Sequence, residues 1–314
     1  MSSIPLQPNP PPLRTGDAAR YEWRTILRHR WPLRWMHWIN LACMLAMIGS
    51  GLQIYNAHPA LYWGEASHFA TPLFATQAMQ RGSSGELYGV TRLGSARIET
   101  TGVLGVSRNA NGKLTPRGFP GWTTIPSSRN LAVGRRWHFF FAWAWVINGV
   151  LYLTWSLASR HLSRDLAMQR RDWRAVPRTI VDHLRFRHPL GDEAARYNPL
   201  QKLAYLGVIF VLTPLIVLTG LSMSPQMDTV LGWWLQLIGG RQSARTIHFV
   251  VMALFVIFAI VHVVMVFYAG AINEMRSMIT GRFRVRYPRV PGAPSASAAA
   301  MAPAAVEPSA GDRP

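Results

Sequence analysis

The chain has 314 residues, a formal charge of +19 and an isoelectric point near 11.4 on a composition that is 49% hydrophobic. Its single cysteine, Cys43, excludes an internal disulfide and a cysteine-based metal cluster, and without a C-x-x-C-H there is no covalent haem attachment of the c type. So basic a chain invites a nucleic-acid reading, but the charge is segregated along the sequence in a way that argues against one.

Residues 1–13 are Pro-rich and read as disordered. Arg24, Arg28, Arg30 and Arg34 then precede the first of four stretches that contain no Asp, Glu, Lys or Arg. These are 35–55, 137–157, 203–221 and 246–270, of 21, 21, 19 and 25 residues. At about 1.5 Å per residue each makes a helix of roughly 30 Å, the thickness of a hydrocarbon core. The first run is too long for a signal h-region and reads as a retained span. Trp31, Trp35 and Trp38 stand where an aromatic belt belongs.

The connection 56–136 is rich in Gly, Ser and Thr, lacks a helical period, and is too long for a mere linker; Tyr88–Arg97 looks hairpin-like. Residues 160–202 read as a basic loop with helix around Trp173–Leu184, and 226–240 as a short interfacial helix. From Val290 the chain runs to Ala, Pro and Ser. The segments 1–34, 158–202 and 271–314 hold six, ten and six of the 33 Lys and Arg residues. They alternate with the other two connections, the positive-inside pattern, which puts both termini in the cytoplasm. The expected architecture is an all-α membrane protein: a cytoplasmic segment 1–33, a four-helix transmembrane bundle over 34–280 with a long outer loop, and a disordered tail 281–314.

The histidines carry the chemistry. His37 opens the first stretch, His138 the second, and His248 and His262 both lie in the fourth. Fourteen residues at about 100° each return to within roughly 40°, so His248 and His262 share a face, about 21 Å apart along the axis. With the N-terminus inside, depth pairs His37 with His262 near the inner surface and His138 with His248 near the outer one. Haem iron takes two axial ligands, usually imidazole, whereas tetrahedral zinc wants four ligands together. Two b-type haems, one near each surface, fit this pattern. Taken singly, an interfacial histidine also reads as a belt residue, and one inside a span as part of a proton relay. His29, His58, His68, His161, His183 and His188 fall outside the spans and read as ordinary polar residues. Gly49, Gly51, Gly149, Gly207 and Gly220 allow close approach of helices or a flat macrocycle, and Pro214 predicts a kink. Arg34, Arg136 and Arg245 border the histidines as candidate propionate partners, beside Arg135.

The start Arg34-Trp35-Met36-His37-Trp38-Ile39-Asn40, the second-span His138, and His248 with His262 fourteen residues on resemble the bacterial di-haem cytochrome b family. That family includes membrane subunits of nickel-iron hydrogenase, formate dehydrogenase and thiosulfate reductase. The segment Arg187–Asp228, with Tyr197-Asn198-Pro199-Leu200-Gln201-Lys202 and Leu218–Pro225, looks nearest to the thiosulfate-reductase-like branch. The resemblance implies an electron-transfer subunit between the quinone pool and a partner oxidoreductase, often a periplasmic molybdenum protein, with the four histidines as axial ligands and no catalytic residues of its own. The connection 56–136 departs from the short first loop of simpler members and is the candidate docking platform. Asn40, Lys202 and Tyr205 are candidates for a quinone site near the inner haem. Two other readings stand beside this one: a haem-free four-span anchor or proton-relay transporter, and a stand-alone quinol-oxidising cytochrome that feeds soluble carriers.

Overall fold

A computed structural model describes residues 21–82, 85–185 and 197–288. The expectations for the leader 1–13, for His188 and for the tail beyond Pro288 lie outside these residues, as does the side chain of His183. Four helices are long and apolar enough to cross a membrane: α1 (Trp31–Tyr55), α2 (Leu131–Ala158), a third over Pro199–Ser222, and a fourth over Arg241–Thr280. Between the second and third lies the shorter α3 (Arg170–Leu184), so the third span is α4. The helix Asp228–Leu237 is α5, where the sequence predicts an interfacial helix, and the fourth span is α6.

Local sequence sets their ends. Pro32 occupies the first turn of α1, where a missing N–H costs nothing. The Asn130 side chain caps α2 by accepting from the Val133 N–H at 3.0 Å. Asn198 and Gln201 form a reciprocal capping box at the start of α4. α6 ends on Gly281, whose left-handed φ of 82° only glycine adopts freely. Inside α4 the hydrogen bonding slips to a π-turn at Val208–Leu212, just ahead of Pro214, which removes one backbone donor.

The spans pack as two pairs, α1 along α2 and α4 along α6, and α1 also meets α6. Asn148 on α2 stitches the first pair, its amide donating to the Met36 carbonyl at 2.9 Å and to Asn40 Oδ1 at 2.7 Å. Away from these seams, large apolar side chains such as Phe140, Trp143, Val150, Phe210, Ile260 and Val264 are exposed. Each costs about 1.5–3 kcal/mol in water, a penalty that hydrocarbon removes.

The all-α expectation is corrected by eight strands in three sheets. The connection after α1 folds as an antiparallel sheet in the order β2 (Ala60–Leu61), β3 (Phe74–Arg81), β4 (Glu86–Leu93) and β5 (Ala96–Glu99), and a hairpin of β6 (Gly105–Arg108) and β7 (Leu114–Arg117) packs against it. The register runs Phe74↔Leu93 to Arg81↔Glu86, then Val90↔Glu99 to Leu93↔Ala96 around the two-residue turn Gly94-Ser95. The hairpin expected at Tyr88–Arg97 is this β4–β5 turn. Gly105, at φ 77°, lets the hairpin backbone lie against Gly89; a Cβ on Gly89 would collide with the Leu104 carbonyl. The third sheet joins the ends of the described chain: β1 (Tyr21–Leu27) pairs with β8 (Arg282–Pro288), from Tyr21↔Pro288 to Leu27↔Arg282. Residues 282–288, included in the expected disordered tail 281–314, are therefore ordered. Their alternation buries Phe283 and Val285 and turns Arg282, Arg284 and Arg286 outward. Strands before α1 and after α6 can pair only on one side of a bilayer, which requires an even number of crossings.

Candidate functional site

The structure brings the four span histidines together two by two. His138 on α2 faces His248 on α6 with ring centroids 6.2 Å apart, and His37 on α1 faces His262 on α6 at 6.3 Å. An imidazole bonds a metal at about 2.0–2.1 Å and its ring centre lies roughly 1.1 Å beyond the nitrogen, so two imidazoles flanking one metal have centroids about 6.3 Å apart. Both gaps have that width. Among the described residues no three His, Cys, Asp or Glu gather to hold a metal ion. Two facing imidazoles suit a metal that brings its other donors with it, as the iron of a porphyrin does.

Each outer imidazole is held by the neighbouring helix. His138 Nδ1 lies 3.2 Å from the Met47 carbonyl and 3.2 Å from Ser50 Oγ, both on α1. His248 Nδ1 lies 3.1 Å from the Ile216 carbonyl and 3.2 Å from Thr219 Oγ1, both on α4. A carbonyl accepts only, so Nδ1 carries the proton and Nε2 keeps its lone pair, the tautomer a metal needs. Glycine follows each hydroxyl. A Cβ on Gly51 would sit 3.4 Å from His138 Cε1, and one on Gly220 would sit 3.3 Å from His248 Cε1. The two helix pairs thus repeat one device: a carbonyl at i, a hydroxyl at i+3 and a glycine at i+4 cradle the imidazole of the partner helix. The sequence reading noted both glycines and missed both hydroxyls; their signal is the recurrence of Ser50-Gly51 and Thr219-Gly220 in the first and third spans.

The inner pair is built from rings. Trp38 meets His37 edge-on at 5.3 Å and Phe258 stacks on His262 at 6.0 Å. His37 Nδ1 is buried and has no hydrogen-bond partner. Trp38 Nε1 donates to the Met278 carbonyl at 3.2 Å, and Arg28 pairs with Glu274 at 3.1 Å, so β1 and α1 close over the end of α6. His29, read from sequence as an ordinary polar residue, is buried here at 6.5 Å from the Tyr197 ring. Burial, then the Arg28 and His37 charges, lowers the His29 pKa to about 4. Burial raises the Tyr197 phenol well above its ordinary range, and its ring meets Tyr205 edge-on at 5.5 Å.

The remaining candidates have separate partners. Asn40 is engaged by Asn148, and Lys202 is buried against Asp172 at 2.9 Å. Arg34 is half-buried with its Nε unpartnered, and Arg136 is exposed. Arg245 donates to the His58 carbonyl at 2.5 Å, which fastens the β-unit made of β2–β7 to α6. That fastening continues through Thr246 Oγ1 to the Tyr62 carbonyl at 2.6 Å and through the first-turn amides of Gln242 and Ser243 to the Gly64 carbonyl. The β-unit therefore sits directly over the end of the membrane bundle that holds His138 and His248.

The profile of the prokaryotic cytochrome b561 family matches residues 28–281. Over 131 residues the chain is 33% identical to a protein of Azospira oryzae named as a protein-methionine-sulfoxide reductase subunit, YedZ1; the match covers 42% of this chain and 63% of the relative. Over 149 residues it is 31% identical to a Cupriavidus necator protein named as a Ni/Fe-hydrogenase B-type cytochrome subunit, covering 44% of this chain and 61% of the relative. The matches thus span about three fifths of each relative's length. No solved structure matches the chain.

Proposed function

Because the chain belongs to the prokaryotic cytochrome b561 family, which makes it a multi-pass membrane b-type cytochrome of electron transfer, we propose that it binds two haem b groups in series. His138 and His248 are the axial ligands of the outer site, and His37 and His262 those of the inner one. The observation that carries this reading is the matched 6.2 and 6.3 Å spacing of two imidazole pairs that share one helix. Held by these imidazole pairs, haem would supply a one-electron couple.

The protein's own part is positional. α6 carries one ligand of each site about 21 Å apart along its axis, and the carbonyls of Met47 and Ile216 fix the tautomer of the outer imidazoles. The chain then connects quinone in the membrane with a redox enzyme on the periplasmic side, where the β-unit, fastened over the outer pair by Arg245 and Thr246, offers the docking platform. The names of the relatives, a methionine-sulfoxide reductase subunit and a hydrogenase cytochrome subunit, support a redox-enzyme partner. The charge pattern supports an inner-membrane location with both termini cytoplasmic.

A reduced-minus-oxidised spectrum with haem quantified per polypeptide tests this. Two b-type haems are expected, and one each in His248→Ala and His37→Ala. One haem in the unaltered chain would mean that one pair is misassigned, and none would leave a haem-free anchor. Co-purification of the partner with and without residues 60–117 tests the platform; unchanged recovery would reject it.

A further inference from the structure

On the side of β1 and β8, the link from α2 to α4 presents two features that the redox reading does not use. The first is a cleft of about 330 Å³ between the ends of α2 and α4, lined by Leu157, Arg160, Leu162, Ser163, Leu206 and Phe210 among others. Its lining is mostly apolar, and the exposure of Leu157 and Phe210 shows that it opens on the lipid-facing surface of the spans. Arg160, at the end of α2, is its charged group and is itself exposed. The second is α3. Trp173, Pro177, Ile180 and Val181 fall on one helical face, all exposed to solvent. On the opposite flank Asp172 fixes the helix to α4: its carboxylate accepts from Lys202 at 2.9 Å and from the Gln169 N–H at 3.0 Å. The helix is thus held at the level where α4 enters the membrane, with its apolar face free.

Charge tells what covers it. Residues 160–185 contain seven arginines against three aspartates. Arg160, Arg164, Arg170 and Arg174 are exposed and make no ion pair with a described residue. An apolar helix face edged by unpaired arginines, beside an apolar cleft continuous with the bilayer, matches an anionic amphiphile and not a soluble acidic protein, which would leave the cleft empty.

We propose that this cleft and the adjoining α3 together bind an anionic phospholipid of the cytoplasmic leaflet. One acyl chain lies in the cleft between Leu157, Leu206 and Phe210, the phosphate meets Arg160, and α3 rests its Trp173 face in the headgroup layer with Arg164, Arg170 and Arg174 on neighbouring phosphates. Guanidinium matches phosphate with paired donors, and each basic group near an anionic surface adds to the attraction.

The test is native mass spectrometry of the purified full chain titrated with phosphatidylglycerol or phosphatidylcholine of identical acyl chains. Retention of phosphatidylglycerol should exceed that of phosphatidylcholine at least fivefold. The preference should vanish in the triple variant Arg160→Gln/Arg164→Gln/Arg170→Gln. It should persist in Arg160→Lys, which keeps the charge, and in Arg97→Gln on the outer β-unit. Equal retention of the two lipids, or a preference that survives the triple variant, would overturn the proposal. So would a Leu206→Trp variant that loses a short-tailed quinone while keeping its phosphatidylglycerol, because the cleft would then belong to a neutral redox lipid.

Discussion

The two histidine pairs have nearly the same spacing and are held in different ways. The outer imidazoles hang on main-chain carbonyls and hydroxyls of the adjacent helix, with a glycine beneath each ring. The inner imidazoles are wedged by Trp38 and Phe258, and His37 Nδ1 has no partner. A main-chain acceptor is fixed once the helix forms, so the outer geometry depends on how closely α1 approaches α2 and α4 approaches α6. The inner geometry depends on ring packing and on the closure of β1, β8 and Arg28–Glu274 over the helix ends.

The outer pair is most vulnerable at its glycines. Gly51→Val and Gly220→Val should displace His138 and His248 and abolish the outer haem, halving the haem content. Gly149→Val and Gly207→Val, where a Cβ meets nothing within 4 Å, should leave it at two. A single haem in all four variants would show that the cradle is not specific.

Removing the supports without moving the ring is milder. Ser50→Ala and Thr219→Ala should weaken haem retention at the outer site about 10- to 100-fold, the usual effect of losing such a support, and leave the inner site unchanged in haem-transfer assays to apomyoglobin. Equal effects on both sites would mean that the hydroxyls act through general stability.

Next comes the seam behind both pairs. Asn148→Leu leaves Asn40 without its partner and should cost about 1–2 kcal/mol by the measure of polar contacts between spans, read as a lower unfolding midpoint in detergent. An unchanged midpoint would make the asparagine bridge idle.

The smallest effect is a pH dependence confined to the inner end. Because the folded pKa of His29 is about 4 and the unfolded one is 6.5, the unfolded chain binds the extra proton between those values. Stability is therefore full above pH 6.5, falls as pH drops toward 4, and changes no further below it. His29→Gln should flatten that slope of the unfolding midpoint; an unaltered slope would assign it elsewhere.

The spans and the histidine pairing were readable because both follow from one-dimensional rules: charge-free length sets the crossing, and helical rise with alternating direction sets the depth of each residue. The cradle was not, because Ser50 and Thr219 look like any small polar residue on a packed helix, and only the neighbouring helix shows what they face. Of the sheet after α1 only the Tyr88–Arg97 hairpin was legible, for a related reason. Segments such as Phe74-Ala75-Thr76-Gln77-Ala78-Met79 carry weak alternation, and their pairing is set by partners further along the chain. Arg282–Pro288 alternates cleanly, yet its partner β1 lies far back in the sequence, so nothing local marked it as a strand. His29 was read as an ordinary polar residue because its surroundings come from Gly281 and Tyr197, both remote in sequence.

The β1–β8 ribbon also orders events in time. The first strand leaves the ribosome some 250 residues before its partner, which at about 5–20 residues per second is on the order of 10–50 s. During that interval its edge is unpaired, and the inner closure over His37 and His262 cannot form. β8, synthesised after all four spans, thus acts as a latch, and the closure over His37 and His262 forms only after every span has been delivered.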